Sequence, residues 1–210
     1  MKTPLIWEKL VIDGRRMVTT VEVHRLAVQL GKDPERSLRY LQEHEFLCRV
    51  LRGIFYVRGH EERGKGFTRS SIYEMVSEAL RMKGVRNWYF GLETALKLNN
   101  MTHEYYTVDF VITDSYRTTK VIEIAGVRFQ FLKWSKRHFG YGIVRKKLLR
   151  CSDMEKTLID MAYKRYLDTK DAGYLSELIH EHGSGIDAGR LAKYLEEYPV
   201  GFRRMARRVA

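Results

Sequence analysis

Apolar residues recur at helical spacing through the first sixty positions, and the polar residues between them carry start and stop signals. Pro4 to Asp13 reads as a helix halted by Gly14. Thr19 and Glu22 have capping-box spacing and open a second helix over Thr20 to Leu30. Its apolar side is Val23, Leu26, Ala27 and Leu30. Gly31-Lys32-Asp33 then makes a tight turn. Asp33 as N-cap and Pro34 as first helical residue start a third helix at once. It runs to about His44, with Leu38 and Leu41 facing inward. Two short β-like runs, Leu47 to Arg52 and Ile54 to Arg58, flank Gly53 and predict a hairpin.

The pattern breaks at Gly59-His60-Glu61-Glu62-Arg63-Gly64-Lys65-Gly66, where glycines among charged residues suit neither helix nor strand. A linker over 59–70 is expected, separating residues 1–58 from a larger domain, 71–210. In that second part Ser71 and Glu74 cap a helix to about Met82, and Leu92 to Leu98 is another. Tyr105 to Thr113 reads as a strand. Lys120 to Ile124 and Val127 to Leu132 flank Ala125-Gly126 as a hairpin, with Glu123 opposite Arg128. A further strand is expected near Ile143 to Leu149. Helices follow over Ser152 to Tyr166, Gly173 to His182, Asp187 to Glu196 and Gly201 to Val209. The fold class is α+β: an N-terminal winged helix-turn-helix, then a larger α+β domain with a mostly antiparallel sheet and C-terminal helices.

Composition narrows the function classes. At 210 residues, 44% hydrophobic and 30% charged, the chain excludes global disorder. It has no run near the roughly 18 apolar residues that cross a bilayer, and the start meets charge early, so a cytoplasmic protein without a membrane partner is expected. Cys48 and Cys151 are too few for a disulfide framework, and His180 and His182 are spaced to point apart on a helix. No metal or cofactor is expected. Lys and Arg exceed Asp and Glu by 12, split evenly as 11−7, 13−9 and 14−10 over residues 1–60, 61–140 and 141–210. Such a surplus points to a polyanionic partner, with double-stranded DNA first.

Two helices joined by a short glycine-containing turn, then a hairpin, are the parts of a winged helix-turn-helix. The outward side of the third helix carries Arg36, Arg39, Tyr40 and Glu43. Arg36 and Arg39 can read guanine edges, and Tyr40 can bond or pack on a thymine methyl. Thr19, Thr20 and Lys32 suit phosphate contacts at helix starts and the turn, and Arg49 and Arg52 suit them from the wing. At the C-terminus, Arg203, Arg204, Arg207 and Arg208 offer further phosphate contacts from one helix face.

Three strings carry a family resemblance. The hairpin reads Arg52-Gly53-Ile54-Phe55-Tyr56. Tyr89-Phe90-Gly91-Leu92-Glu93-Thr94-Ala95-Leu96 gives an aromatic start and a small-residue helix. A later helix opens Glu155-Lys156-Thr157-Leu158-Ile159-Asp160. In order and spacing over nearly the full length, the chain resembles the AbiEi antitoxins of type IV toxin–antitoxin (abortive infection) systems. The family's hairpin tyrosine stands one residue late here. The resemblance implies an autorepressor that binds operator repeats in its own promoter through the winged helix. It also implies a C-terminal part that counteracts a nucleotidyltransferase-like toxin without a stable complex.

Other chemistries fit less well. Ser152 to Glu155 reads as a capping box, and the Lys156/Asp160 and Asp160/Lys164 pairs read as ordinary helix-surface pairs, with Met154, Leu158, Met161 and Ala162 buried. A metal-dependent nuclease would use Asp109 and Glu123, but no lysine stands two residues after Glu123. Neither a phosphate-binding glycine loop nor a nucleophile elbow occurs, so the chain is not expected to be an enzyme. A ligand-sensing regulator would line an effector pocket with Trp88, Tyr89, Phe90, Tyr105, Tyr106, Phe129 and Phe131.

Overall fold

The computed structural model describes residues 4–63, 68–171 and 173–209, and the chain divides into two compact units. The first holds the residues up to Gly84 with Glu123–Val127, and the second holds Val85–Ile122 and the residues from Arg128 onward.

Capping signals set the first unit. Helix α1 (Leu5–Ile12) leads through strand β1 (Met17–Thr19) into helix α2 (Thr20–Gln29). The Thr19 hydroxyl accepts from the Glu22 amide, and the Glu22 carboxylate accepts from the Thr19 amide, the reciprocal box read from the sequence. Helix α3 (Pro34–Glu43) begins where the Asp33 carboxylate accepts from the Arg36 amide at 2.7 Å. Strands β2 (Leu47–Leu51) and β3 (Ile54–Val57) form the hairpin, and β1 joins to give the order β1-β3-β2. Three residues are too few to show a period, so β1 left no trace in the pattern. Trp7, Val18, Val23, Ala27, Leu41 and Phe46 share one core, and the Trp7 indole donates to the Arg58 carbonyl at 2.7 Å.

The expected linker is not free. Glu62 is 2% exposed and accepts from the Tyr56 hydroxyl at 2.6 Å and from the Gly59 and Arg69 amides. Arg16 bonds Ser70. Gly64, Lys65 and Gly66 lie outside the described residues. Beyond them α4 (Ile72–Met82) packs on β2 and β3, burying Met75, Val76, Ala79 and Leu80. The helix assigned to 71–210 therefore belongs to the first unit, and the boundary falls after Gly84. The reason is amphipathicity: α4 must bury a stripe, and β2 and β3 take it. Each of its larger buried side chains contributes about 1.5–3 kcal/mol.

From Val85 onward the elements are β4 (Trp88–Phe90), α5 (Leu92–Leu98), β5 (Asp109–Thr113), β6 (Ile122–Ile124), β7 (Val127–Lys133), β8 (Ile143–Lys146) and β9 (Leu149–Ser152). Helices α6 (Met154–Thr169), α7 (Tyr174–His182), α8 (Ala188–Leu195) and α9 (Val200–Val209) follow. The α+β class is as expected. The strands run in the order β6-β7-β5-β4-β9-β8. The sheet is mostly antiparallel, with β5·β7 and β4·β9 parallel. The single strand expected over Ile143 to Leu149 is instead a hairpin about Lys147-Leu148, with Lys147 at φ 55°. No glycine, asparagine or proline marks that turn, so the pattern concealed it.

Helix α6 organises the second unit, since α5, α7, α8 and β9 all pack on it. The i,i+4 spacing of Lys156 and Asp160 predicts a surface pair, but both are fully buried. The Lys156 ammonium donates to Asp160 Oδ1 at 3.3 Å, Tyr89 donates to Oδ2 at 2.9 Å, and the Tyr198 hydroxyl donates to the same carboxylate. The rings of Tyr141 and Tyr89 stand 4.4 and 4.9 Å from the ammonium. Gly142, at φ 60°, makes room: a Cβ there would come within 2.8 Å of the Lys156 stem. The cap also differs from expectation. Asp153 accepts from the Lys156 amide at 2.9 Å, while Glu155 is buried and accepts from the Asp187 amide at 3.0 Å. Lys164 pairs with Asp168 rather than Asp160. Spacing of three and four marks neighbours on a helix but does not say whether their face is covered.

His138 is buried beside this cluster, its ring 4.9 Å from that of Tyr198. Burial, with Lys156 and Arg137 adding repulsion, pushes its pKa down to about 3.

Truncating one partner strands the other's charge, so Asp160→Ala should lower stability by about 3–5 kcal/mol. The apolar double replacement Lys156→Met/Asp160→Leu should lose less, the remaining cost coming from the Tyr89 and Tyr198 hydroxyls that lose their acceptor, as read by urea denaturation of the full chain. His138 gives a pH test. Below its ordinary value of 6.5 the unfolded chain takes up a proton that the folded chain refuses until about 3. Stability therefore falls as pH drops through that window, and His138→Phe should flatten the fall between pH 6.5 and 4 in the same titrations.

Candidate nucleic-acid interface

Leu38 and Leu41 are buried in the first unit's core, which turns the opposite side of α3 to solvent. Arg36, Arg39 and Glu43 are exposed there as expected. Neither arginine has a carboxylate within ion-pair distance among the described residues, so both guanidiniums keep their donors free. Tyr40 is half-buried, its ring stacked on His44 at 4.0 Å and 6.2 Å from Phe46. Packing fixes that ring on the flank of the face.

Lys32 is exposed on the turn before α3. An open groove of about 850 Å³ runs between the start of α1 and α3, lined by Pro4, Leu5, Ile6, Lys32, Arg36 and Tyr40. Sequence periodicity gave no sign of it, because α1 and α3 meet only through tertiary packing.

The hairpin and the start of α2 come together. The Thr20 amide donates to the Gly53 carbonyl at 3.0 Å, which sets the Arg52-Gly53 turn against the helix N-terminus. Gly53 has φ 79°, a left-handed value that suits a glycine in a two-residue turn. Arg52 and Arg49 are both exposed. The Lys83 ammonium, at the end of α4, donates to the Arg52 carbonyl at 3.1 Å and adds a cation beside the turn. Nothing in the sequence places Lys83 beside the hairpin, because the contact depends on α4 packing on β2 and β3.

Thr19 stands differently from expectation. Its hydroxyl proton goes to Glu22 Oε2 at 2.9 Å while its oxygen accepts from the Glu22 amide at 3.2 Å, so it has no donor left for a phosphate.

In the second unit, the C-terminal arginines are partly engaged. Arg203 and Arg207 both pair with Glu196, Arg204 is exposed, and the Arg208 side chain lies outside the described residues. Asp109 is buried and accepts from Thr94 at 3.0 Å and from Lys97, whereas Glu123 and Arg128 are each exposed. Of the candidate pocket aromatics, Trp88, Tyr89, Phe90, Phe129 and Phe131 are buried, Tyr106 is half-buried and Tyr105 is 89% exposed. No helix among the described residues is long and apolar enough to cross a membrane.

No family model and no curated protein matches the chain. Its fold is similar to the crystal structure of the RV2827C protein from Mycobacterium tuberculosis, with a TM-score of 0.62 over 99% of this chain and 77% of that one. At 14% identity the likeness bears on the fold alone.

The geometry at Thr19 separates capping from phosphate binding. Thr19→Ala should cost about 1 kcal/mol of stability, read by urea denaturation. It should leave unchanged the salt dependence of any affinity for duplex DNA, since the hydroxyl gives its proton to Glu22.

Proposed function

We propose that the chain is a DNA-binding antitoxin that represses its own operon. In this reading α2, the turn and α3 act as a helix-turn-helix with β2–β3 as a short wing, and α3 enters the major groove of an operator repeat. The observation that carries it is the α3 face. Arg36 and Arg39, with no carboxylate partner among the described residues, stand exposed on it, with Lys32 on the adjoining turn. Arg36 and Arg39 read base edges. Lys32, Thr20, Arg49, Arg52 and Lys83 hold backbone phosphates, Thr20 at the start of α2 where helix amides favour anions. Tyr40 supports the face by packing. The antitoxin half of the reading rests on the sequence resemblance, which assigns opposition to a nucleotidyltransferase-like toxin to the second unit. That opposition involves no stable complex and no resident cofactor, and the reading carries no catalytic step.

Arg36→Ala or Arg39→Ala should weaken operator binding by about 1–3 kcal/mol and relax base preference locally. Arg49→Ala and Arg52→Ala should instead weaken specific and random duplexes alike, each lowering the salt slope by about one unit. The measurements are footprinting and fluorescence anisotropy over a salt series. A promoter reporter and a growth assay with the neighbouring toxin gene then test the biology. Repression should fail in Arg36→Ala/Arg39→Ala while rescue from the toxin persists. Unchanged footprints and affinity in both arginine variants would remove α3 as the reading helix.

A further inference from the structure

Between Glu123 and Asp153 the chain holds eight Lys and Arg residues and no Asp or Glu. Much of that charge falls on the β8–β9 hairpin. Strand β8 lies at the end of the sheet order, so among the described residues one of its edges has no neighbouring strand. Arg145 and Lys147 are exposed, and neither has an ion-pair partner among the described residues. Val144 and Leu148, beside them, are 42% and 52% exposed.

The register makes this arrangement costly. Arg145 stands directly opposite Arg150 across the antiparallel pair. Like charges in that relation oppose pairing. Arg150 partly escapes by donating to the Arg86 carbonyl at 2.6 Å and lying over the Trp88 ring at 5.3 Å. Burial and the nearby Arg145 both hold its pKa below the ordinary arginine value. Arg145 has no such outlet. A carboxylate on the hairpin would relieve the pair, and none is present. Instead Arg145 stands on the strand at the sheet's end and Lys147 on the adjoining two-residue turn, both exposed, where a polyanion can reach them without rearrangement of the sheet.

We infer that the β8–β9 hairpin is a second duplex-DNA contact, in which Arg145 and Lys147 neutralise backbone phosphates. A phosphate backbone suits it better than a single acidic side chain because the cations repeat along the hairpin with no interleaved acid. The contact carries no base readout; it adds affinity and salt dependence to whatever α3 selects. The inference rests on the DNA-binding reading proposed above.

The test uses the full chain and two probes: a duplex covering the promoter region upstream of its own gene, and a random-sequence duplex of equal length. Affinity is measured over a salt series for the wild type, Arg145→Gln/Lys147→Gln and Arg36→Ala/Arg39→Ala, with thermal melting of each. The hairpin variant should bind both duplexes more weakly and lower the salt slope by about two units on each. Its melting temperature should stay level or rise, because the Arg145/Arg150 repulsion is gone. The α3 variant should lose its preference for the promoter duplex and keep the salt slope of its hairpin contacts. If the wild type binds and the hairpin variant shows the same slope and affinity, the hairpin inference fails and the α3 reading stands. A wild type that binds neither duplex overturns both. Unchanged DNA binding with lost rescue from the toxin assigns the hairpin to an acidic protein partner and overturns the DNA contact.

Discussion

Burying an ammonium and a carboxylate on one helical turn succeeds only when their remaining donors and lone pairs are also satisfied. In the second unit that condition governs α6. Asp160 collects a lysine and two tyrosines, and Lys156 sits among tyrosine faces. The partners come from far apart in the chain: Tyr89 from β4, Tyr141 from the segment before β8, and Tyr198 from the segment before α9. Each must arrive for the pair to be tolerated, so the charge specifies which packing is native. Apolar contacts alone, which have no direction, would permit several. Gly142 belongs to the same requirement, because any side chain there would collide with the Lys156 stem.

The local chemistry of the fold was legible and its coverage was not. Caps at Thr19, Asp33 and Ser71 are short-range hydrogen-bond patterns, and each appears where its residues predict it. Helix α5 likewise begins and ends at Leu92 and Leu98, the residues read from the sequence. Apolar stripes were placed correctly, as at Leu38 and Leu41, but whether a polar face is covered as well was not legible. Lys156 and Asp160 obey the surface-pair spacing while other helices bury them. Glu62 and Gly59 have linker composition, yet a carboxylate taking three donors organises that stretch. Both misreadings come from tertiary contacts that composition cannot carry.

For the candidate interface the same division holds. The outward face of α3 follows from where Leu38 and Leu41 fall, so Arg36 and Arg39 could be placed from the pattern. That the Thr19 cap leaves no donor for a phosphate, and that packing holds Tyr40, could not be read from it. One hydroxyl proton cannot serve both a cap and a phosphate, and a ring stacked on His44 has a face already covered. Lys83 reaches the hairpin turn only because α4 packs on β2 and β3. The even division of net charge among thirds of the chain also hid a local feature, the acid-free stretch before Asp153.

Magnitudes bound how such a protein could select an operator. If Arg36 and Arg39 read bases as proposed, each supplies about 1–3 kcal/mol of discrimination, so one α3 face provides about 2–6 kcal/mol in all. Specific binding usually exceeds non-specific binding by about 4–10 kcal/mol. The lower part of that range lies within reach of a single copy, and the upper part does not. Under the proposed reading, a net charge of +12 also favours any duplex through its phosphates, which raises the background that base contacts must overcome. Under the proposed reading, selective occupancy at the upper end requires either repeated sites filled by more than one copy or readout of DNA shape. Repeats are the more economical route, because each added copy contributes its own pair of arginines without any new side chain.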